Sequence, residues 1–243
     1  IESSFIRSFA RVVADEESRA TARTRDDGRL EMRARDDVLA RVPRRRRTSR
    51  RATPRARSNA MPGTSPTTRK KPFVLITGVP GTGKTTLADA LAERVGAERL
   101  DVGALARSEG FHGVYDAEMD THELAEEALL DRMEEMLASK EERGVGCVVD
   151  YHSCELFPER WFDRVCALTC VEQTATLYER LSDRGYSEKK IRENVECDIF
   201  QVVVEEAKDS FENVTVRSNA TLDDMEETVR ELAEWCENFK RGE

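Results

Sequence analysis

Gly78-Val79-Pro80-Gly81-Thr82-Gly83-Lys84-Thr85 is a complete G-x-x-x-x-G-K-[ST] run, followed by Thr86. Each residue type in it suits a phosphate. Gly81 and Gly83 let backbone N–H groups turn inward and approach anionic oxygens closely. Lys84 can reach the β- and γ-phosphates, and the Thr85 hydroxyl can ligate Mg²⁺. A helix that starts at such a loop also points its positive end at the phosphates. A second candidate lies further on, where the apolar run Val145-Gly146-Cys147-Val148-Val149 ends in Asp150, followed by Tyr151-His152. A strand-end carboxylate beside a phosphate loop is where Mg²⁺ needs one. His152 has two readings: it orients a water or hydrogen-bonds a carboxylate such as Asp150, or it is a structural histidine fixing the strand end.

The elements that must hold these groups can be read around them. Pro72–Thr77 is a short apolar run, as expected of a buried parallel strand over 73–77. Leu87, Leu91 and Val95 recur every four residues among polar ones, which predicts an amphipathic helix over about 84–95. A short strand is expected at 98–100 and a helix at 101–109. A polar segment carries Tyr115, Asp116, Glu118 and Asp120. An acidic helix over 122–140 follows, with Leu124, Ala128, Met133 and Leu137 available for burial. Strands at 145–150, 165–168 and 214–216 alternate with helices at 174–183 and, as one long element, 188–210. Thr221 and Asp224 form a capping box. The final helix sets Leu222, Met225, Val229, Leu232, Cys236 and Phe239 on one face. Such alternation implies an α/β fold, a parallel sheet with helices on both faces, whose ligands bind at the carboxyl ends of the strands.

Charge divides the 243 residues unevenly. Residues 1–70 hold nineteen of the 39 basic residues but only nine of the 48 acids, leaving +10 there and −19 on residues 71–243. The first segment has an arginine run at 44–47, few large apolar residues and no sustained periodicity, so it is expected to be a disordered Arg-rich extension. It reads as a basic tail, a targeting peptide, or sequence upstream of a start at Met61. A transit peptide should be poor in acids, and this stretch carries Asp15, Glu16, Glu17, Asp26, Asp27, Asp36 and Asp37. No apolar run reaches the ~18 residues of a membrane span. Six cysteines without a C-x-x-C pair read as reduced thiols, several of them core residues, and not as a zinc ribbon. The strongly negative core disfavours direct nucleic-acid binding and favours a basic partner.

Five further runs join the phosphate loop in one pattern: Asp150-Tyr151-His152, Phe157-Pro158-Glu159-Arg160-Trp161-Phe162, Tyr178-Glu179-Arg180-Leu181, Arg184-Gly185-Tyr186-Ser187-Glu188-Lys189-Lys190, and Cys197-Asp198-Ile199-Phe200-Gln201-Val202. Over about residues 72–240 this resembles the adenylate kinase isoenzyme 6 family, atypical nuclear adenylate kinases and ATPases that also act in small ribosomal subunit maturation. The resemblance implies a P-loop nucleoside monophosphate kinase domain over 71–243. Its monophosphate-binding segment would lie near 101–124 and its short lid near 183–193. It places ATP on Gly81, Gly83, Lys84, Thr85 and Thr86, the AMP phosphate on Arg107, and a lid arginine closing on ATP at Arg184. Asp150 and His152 match the motif that stands in for a Walker B acid. Two positions depart from the family pattern, Ala104 where a polar residue is expected and Asp198 where a glutamate is; both bear on details of the monophosphate pocket.

The activity implied is Mg²⁺-dependent transfer of the ATP γ-phosphate to AMP, with ATPase activity when water replaces the acceptor. A different class of reading is a nucleotide-switched assembly factor that binds a small-subunit ribosomal protein or pre-ribosome, with its kinase activity secondary. Nucleus and cytoplasm are the expected locations. A kinase of the same fold acting on another small molecule is disfavoured by the D-Y-H and R-G-Y runs.

Overall fold

The computed structural model describes residues 69–116 and 121–239; at 112–116 and 121–123 it describes the backbone alone. Five parallel strands form the central sheet in the order β2-β5-β1-β6-β7, with β1 at Phe73–Gly78, β2 at Glu98–Asp101, β5 at Cys147–Asp150, β6 at Arg164–Thr169 and β7 at Val214–Ser218. Strand β1 lies between β5 and β6 and is buried throughout, which is why its sequence is a continuous apolar run.

Side chains on β1 alternate between two cores. Phe73 and Leu75 point to one face, with Cys147, Val149, Val165 and Ala167. They pack there with α3 (Glu126–Arg143) through Leu129, Met133 and Leu137, and with α6 (Val202–Ser210) through Val204 and Ala207. Val74 and Ile76 point to the other face and meet α1 (Lys84–Val95) and α7 (Leu222–Glu237) through Leu87, Leu91, Val229 and Leu232. A third cluster lies under the phosphate loop. It joins Val79 to Leu177 and Leu181 of α4 (Thr174–Asp183) and to Ile191 and Cys197 of α5 (Glu188–Ile199). All six cysteines carry free thiols, and five are buried. Burial pushes Cys147, Cys166 and Cys197 up to about 12 and Cys170 and half-buried Cys236 up to about 11.

Several expectations need correction. Of the expected Arg-rich extension only Arg69 and Lys70 fall among the described residues. Arg69 is buried, donates to Asp163 Oδ2 at 2.8 Å and to the Trp161 carbonyl at 3.1 Å, and stacks over Phe73. The polar segment is a β-hairpin, β3 (His112–Asp116) against β4 (Thr121–Leu124), and the acidic helix starts only at Glu126. Its first buried residue is therefore Leu129, ahead of the expected Met133 and Leu137, while Ala128 is exposed. The single helix expected over 188–210 is two helices, broken at Gln201, whose φ of 53° is left-handed. A residue in that conformation ends a right-handed helix. On α7 the capping box is present, but Leu222 is exposed and Trp235 packs with the core instead.

Candidate functional site

Strand β1 delivers the chain to the phosphate loop, and α1 carries it away. Gly83 is the residue before α1, with φ 86°, ψ 20°, and no side chain caps the helix. The first N–H groups of α1 therefore face outward, as an anion requires. Gly81 also has φ 86°, and a side chain there would meet Leu177 Cδ1 at 2.8 Å. Lys84 is buried and folds back over the loop, its Nζ donating to the Val79 carbonyl at 3.1 Å. Thr85 and Thr86 are exposed at the start of the helix.

Parallel pairing brings the other half of the site alongside. Ile76 is in register with Asp150 on one side, and Asp101 with Asp150 on the other. Asp150 is thus buried at the end of β5, next to the loop, and accepts the Thr85 hydroxyl at 2.7 Å. Burial pushes its carboxyl above the ordinary carboxylate range, opposed by the Lys84 charge and by the Thr85 hydrogen bond. A hydroxyl and a carboxylate at this spacing fit Mg²⁺, which takes one or two protein oxygens and completes its shell with phosphate and water. Among the described residues there is no group of three or more His, Cys, Asp or Glu side chains that could hold a metal by itself.

The remaining expected site residues are spread around this centre. His152 is buried two residues past Asp150, its ring 4.2 Å from that of Tyr151. The loop that carries it is anchored by Glu206 of α6, whose Oε1 accepts from Ser153 Oγ at 2.9 Å and from the Cys154 and Glu155 N–H groups at 3.0 Å. Arg107 lies exposed near the end of α2 (Val102–Ser108). Arg184 is exposed where α4 ends, and a turn through Gly185 leads to α5. Asp198 stands apart from the 101–124 segment. It is on α5 and accepts the Cys170 N–H at 2.9 Å beyond the end of β6, so its difference from the family pattern does not fall on that segment.

Three residues to which the sequence reading gave no role complete the site. Arg180 of α4 donates to the carbonyls of Gly81 at 3.1 Å, Asn219 at 3.0 Å and Ala220 at 2.7 Å. The Asn219 amide in turn donates to the Thr82 carbonyl at 2.6 Å. Together they buckle the phosphate loop to the segment after β7. Arg99 of β2 donates to Asp150 at 3.1 Å and to Asp101 at 2.8 Å. No local signal marks their role, because the contacts that tie them to the phosphate loop and to Asp150 are with residues far away in sequence.

Strand, glycine loop, uncapped helix and strand-end carboxylate on a parallel sheet define a P-loop NTPase, and a profile described as an AAA domain matches residues 74–201. An adenylate kinase isoenzyme 6 homolog of Caenorhabditis elegans is 44% identical over 72% of this chain and 95% of that protein. The Drosophila melanogaster homolog is 39% identical over 70% and 95%. The Saccharomyces cerevisiae homolog FAP7 is 32% identical over 69% and 83%. Among solved structures, a gluconokinase from Sinorhizobium meliloti aligns at 18% identity with a TM-score of 0.45, over 70% of this chain and 96% of that one. The chain belongs to the adenylate kinase isoenzyme 6 family, and it is a kinase.

Proposed function

We propose that this protein transfers the γ-phosphate of ATP to AMP, yielding two ADP. The observation that carries the reading is the Thr85–Asp150 pair set against a loop whose glycines are left-handed and whose lysine is buried. An AMP phosphate oxygen attacks the γ-phosphorus in line; the new O–P bond forms as the bond to the β,γ-bridging oxygen breaks and ADP leaves with that electron pair. Lys84 leaves the Val79 carbonyl for the better acceptor, the β- and γ-oxygens, and stabilises the charge that develops there. Thr85 and Asp150 would hold Mg²⁺, which when bound would supply positive charge to the transferring phosphoryl group. Arg107 holds the acceptor phosphate, to which a guanidinium offers a two-pronged donor. Residues 183–193 act as the lid, and Arg184 arrives with it and helps exclude water.

Water is the competing acceptor, so ATPase activity follows from the same site. His152, two residues past Asp150, orients that water or fixes the strand end. The charge of −19 on residues 71–243 favours a second, compatible reading: an assembly role on a basic small-subunit ribosomal protein or pre-ribosome, in nucleus and cytoplasm. A coupled assay with and without AMP tests the kinase reading. The kinase reading expects AMP-dependent ADP formation, reduced by about 10²–10³ in Lys84→Ala and strongly reduced in Arg107→Ala. Equal turnover with and without AMP defeats it and leaves the assembly ATPase, whose hydrolysis His152→Gly should lower.

A further inference from the structure

Asp101 and Asp150 end adjacent parallel strands in register, so two carboxylates stand side by side. Like charges in that position repel. Arg99 lies two residues before Asp101 and therefore on the same face of β2. Its Nη2 donates to both carboxylates, to Asp101 Oδ2 at 2.8 Å and Asp150 Oδ2 at 3.1 Å, while Nη1 donates to Asp89 of α1 at 3.1 Å. Only about a fifth of the Arg99 side chain is exposed, and its buried Nε has no partner. The guanidinium is thus held by three elements that all meet at the phosphate end of the sheet.

The two carboxylates it grips serve different ends. Asp150 Oδ2 also accepts the Thr85 hydroxyl, on the ATP side. Asp101 Oδ1 accepts the Ala104 N–H at 2.8 Å and caps α2, the helix that carries Arg107. Gly103 leaves room for the two to converge. A side chain starting there would meet Arg107 Nη1 at 3.3 Å and Asp101 Oδ1 at 3.4 Å. A continuous polar path therefore runs Thr85–Asp150–Arg99–Asp101–α2, ending beside Arg107.

We propose that Arg99 is a positioning residue that couples the two nucleotide sites, so that seating Mg·ATP against Asp150 sets the α2 helix and its Arg107 for the monophosphate. The proposal rests on the AMP-kinase reading above. Drawing Asp150 towards a metal alters the pull it exerts on Arg99, and Arg99 transmits this to Asp101 because one nitrogen serves both acids. A residue that merely neutralised Asp150 would affect the ATP side alone.

Calorimetry on the full chain tests this by measuring the AMP dissociation constant with and without Mg²⁺ and a non-hydrolysable ATP analogue. The unaltered protein should bind AMP at least about 5-fold tighter with the analogue present, a coupling at the lower end of what is usual. Arg99→Met should bring that ratio close to one. Asp101→Asn, which keeps a side chain able to cap α2 but removes the charge Arg99 holds, should lower it too. Arg99→Lys should restore only part, since an ammonium lacks the planar fork. Thermal unfolding of each variant separates lost coupling from lost fold. A ratio that survives in both Arg99→Met and Asp101→Asn, or a ratio of one in the unaltered protein, overturns the proposal while leaving the kinase reading standing. If the unaltered protein binds no AMP under either condition, the kinase reading falls and this proposal with it.

Discussion

Replacing Gly83 with alanine probes how the phosphate loop is held. Two costs can be worked out from its surroundings. The residue has φ 86°, where a Cβ costs about 1–2 kcal/mol. The new methyl would also lie 2.5 Å from Asn219 Nδ2, the atom that donates to the Thr82 carbonyl at 2.6 Å. Asn219 is buried and must swing away, which breaks that bond at about 1–2 kcal/mol. The expected loss is about 2–4 kcal/mol, or a fall in melting temperature of roughly 4–16 °C for a domain of this size. The assay is thermal unfolding of Gly83→Ala, Asn219→Ala and the double variant. Asn219→Ala alone should lose the hydrogen bond but not the backbone term. The double variant should then be less destabilised than the sum of the two by at least ~0.5 kcal/mol, because the amide that blocks the methyl is gone. Strictly additive effects would refute the reasoning, since the clash with Asn219 could not then be part of the cost.

Three more outcomes follow from contacts away from the loop. Arg69→Ala takes the cation from the buried Asp163 carboxylate, which keeps the Phe73 N–H, and should cost about 3 kcal/mol in urea unfolding; a change under ~1 kcal/mol would mean the pair behaves as a surface one. Gln201→Gly should raise stability by up to ~1 kcal/mol, because glycine accepts the left-handed turn between α5 and α6 without strain; a loss would show that the Gln201 side chain matters more than its backbone. Glu98 is held down to about 2, chiefly by its bond to Arg143 and then by Lys140. Its folded-state value lies below the unfolded one, so its contribution is present above about pH 4.5 and is lost as pH falls towards 2. Glu98→Gln should therefore flatten the acid limb of a stability–pH curve between those values. The effect should shrink at high salt because the group is substantially exposed; an unchanged limb would show that the pair contributes nothing.

What was legible in the sequence was what the chain encodes locally. Strand β1, the loop and α1 are contiguous, and their pattern of apolar run, glycines and four-residue spacing fixed each almost to the residue. Asp150 could be read as a strand end because its apolar run stops there. The hairpin at 112–124 is hidden because its residues are polar, a pattern shared by irregular chain and by the start of an acidic helix. The break at Gln201 was hidden because no glycine or proline marks it. Arg99, Arg180 and Asn219 were hidden for a different reason. The contacts that place them at the site, with Asp150, Gly81 and Thr82, span 51, 99 and 137 residues, so only strand order and register bring them there. A charged residue on an edge strand and an arginine near a helix end look like solvated side chains until that register is known.

The state of the six sulfurs offers a practical opening. Each ionises well above neutral pH, and all but Cys236 are shielded from reagents. At neutral pH maleimide dyes should therefore pass over the native chain, since the thiolate is the reacting form. Ser187→Cys, at an exposed position, would then be the preferred point of attachment, and the dye's emission would test whether the segment around Gly185 moves during turnover, without any background substitution of the natural sulfurs.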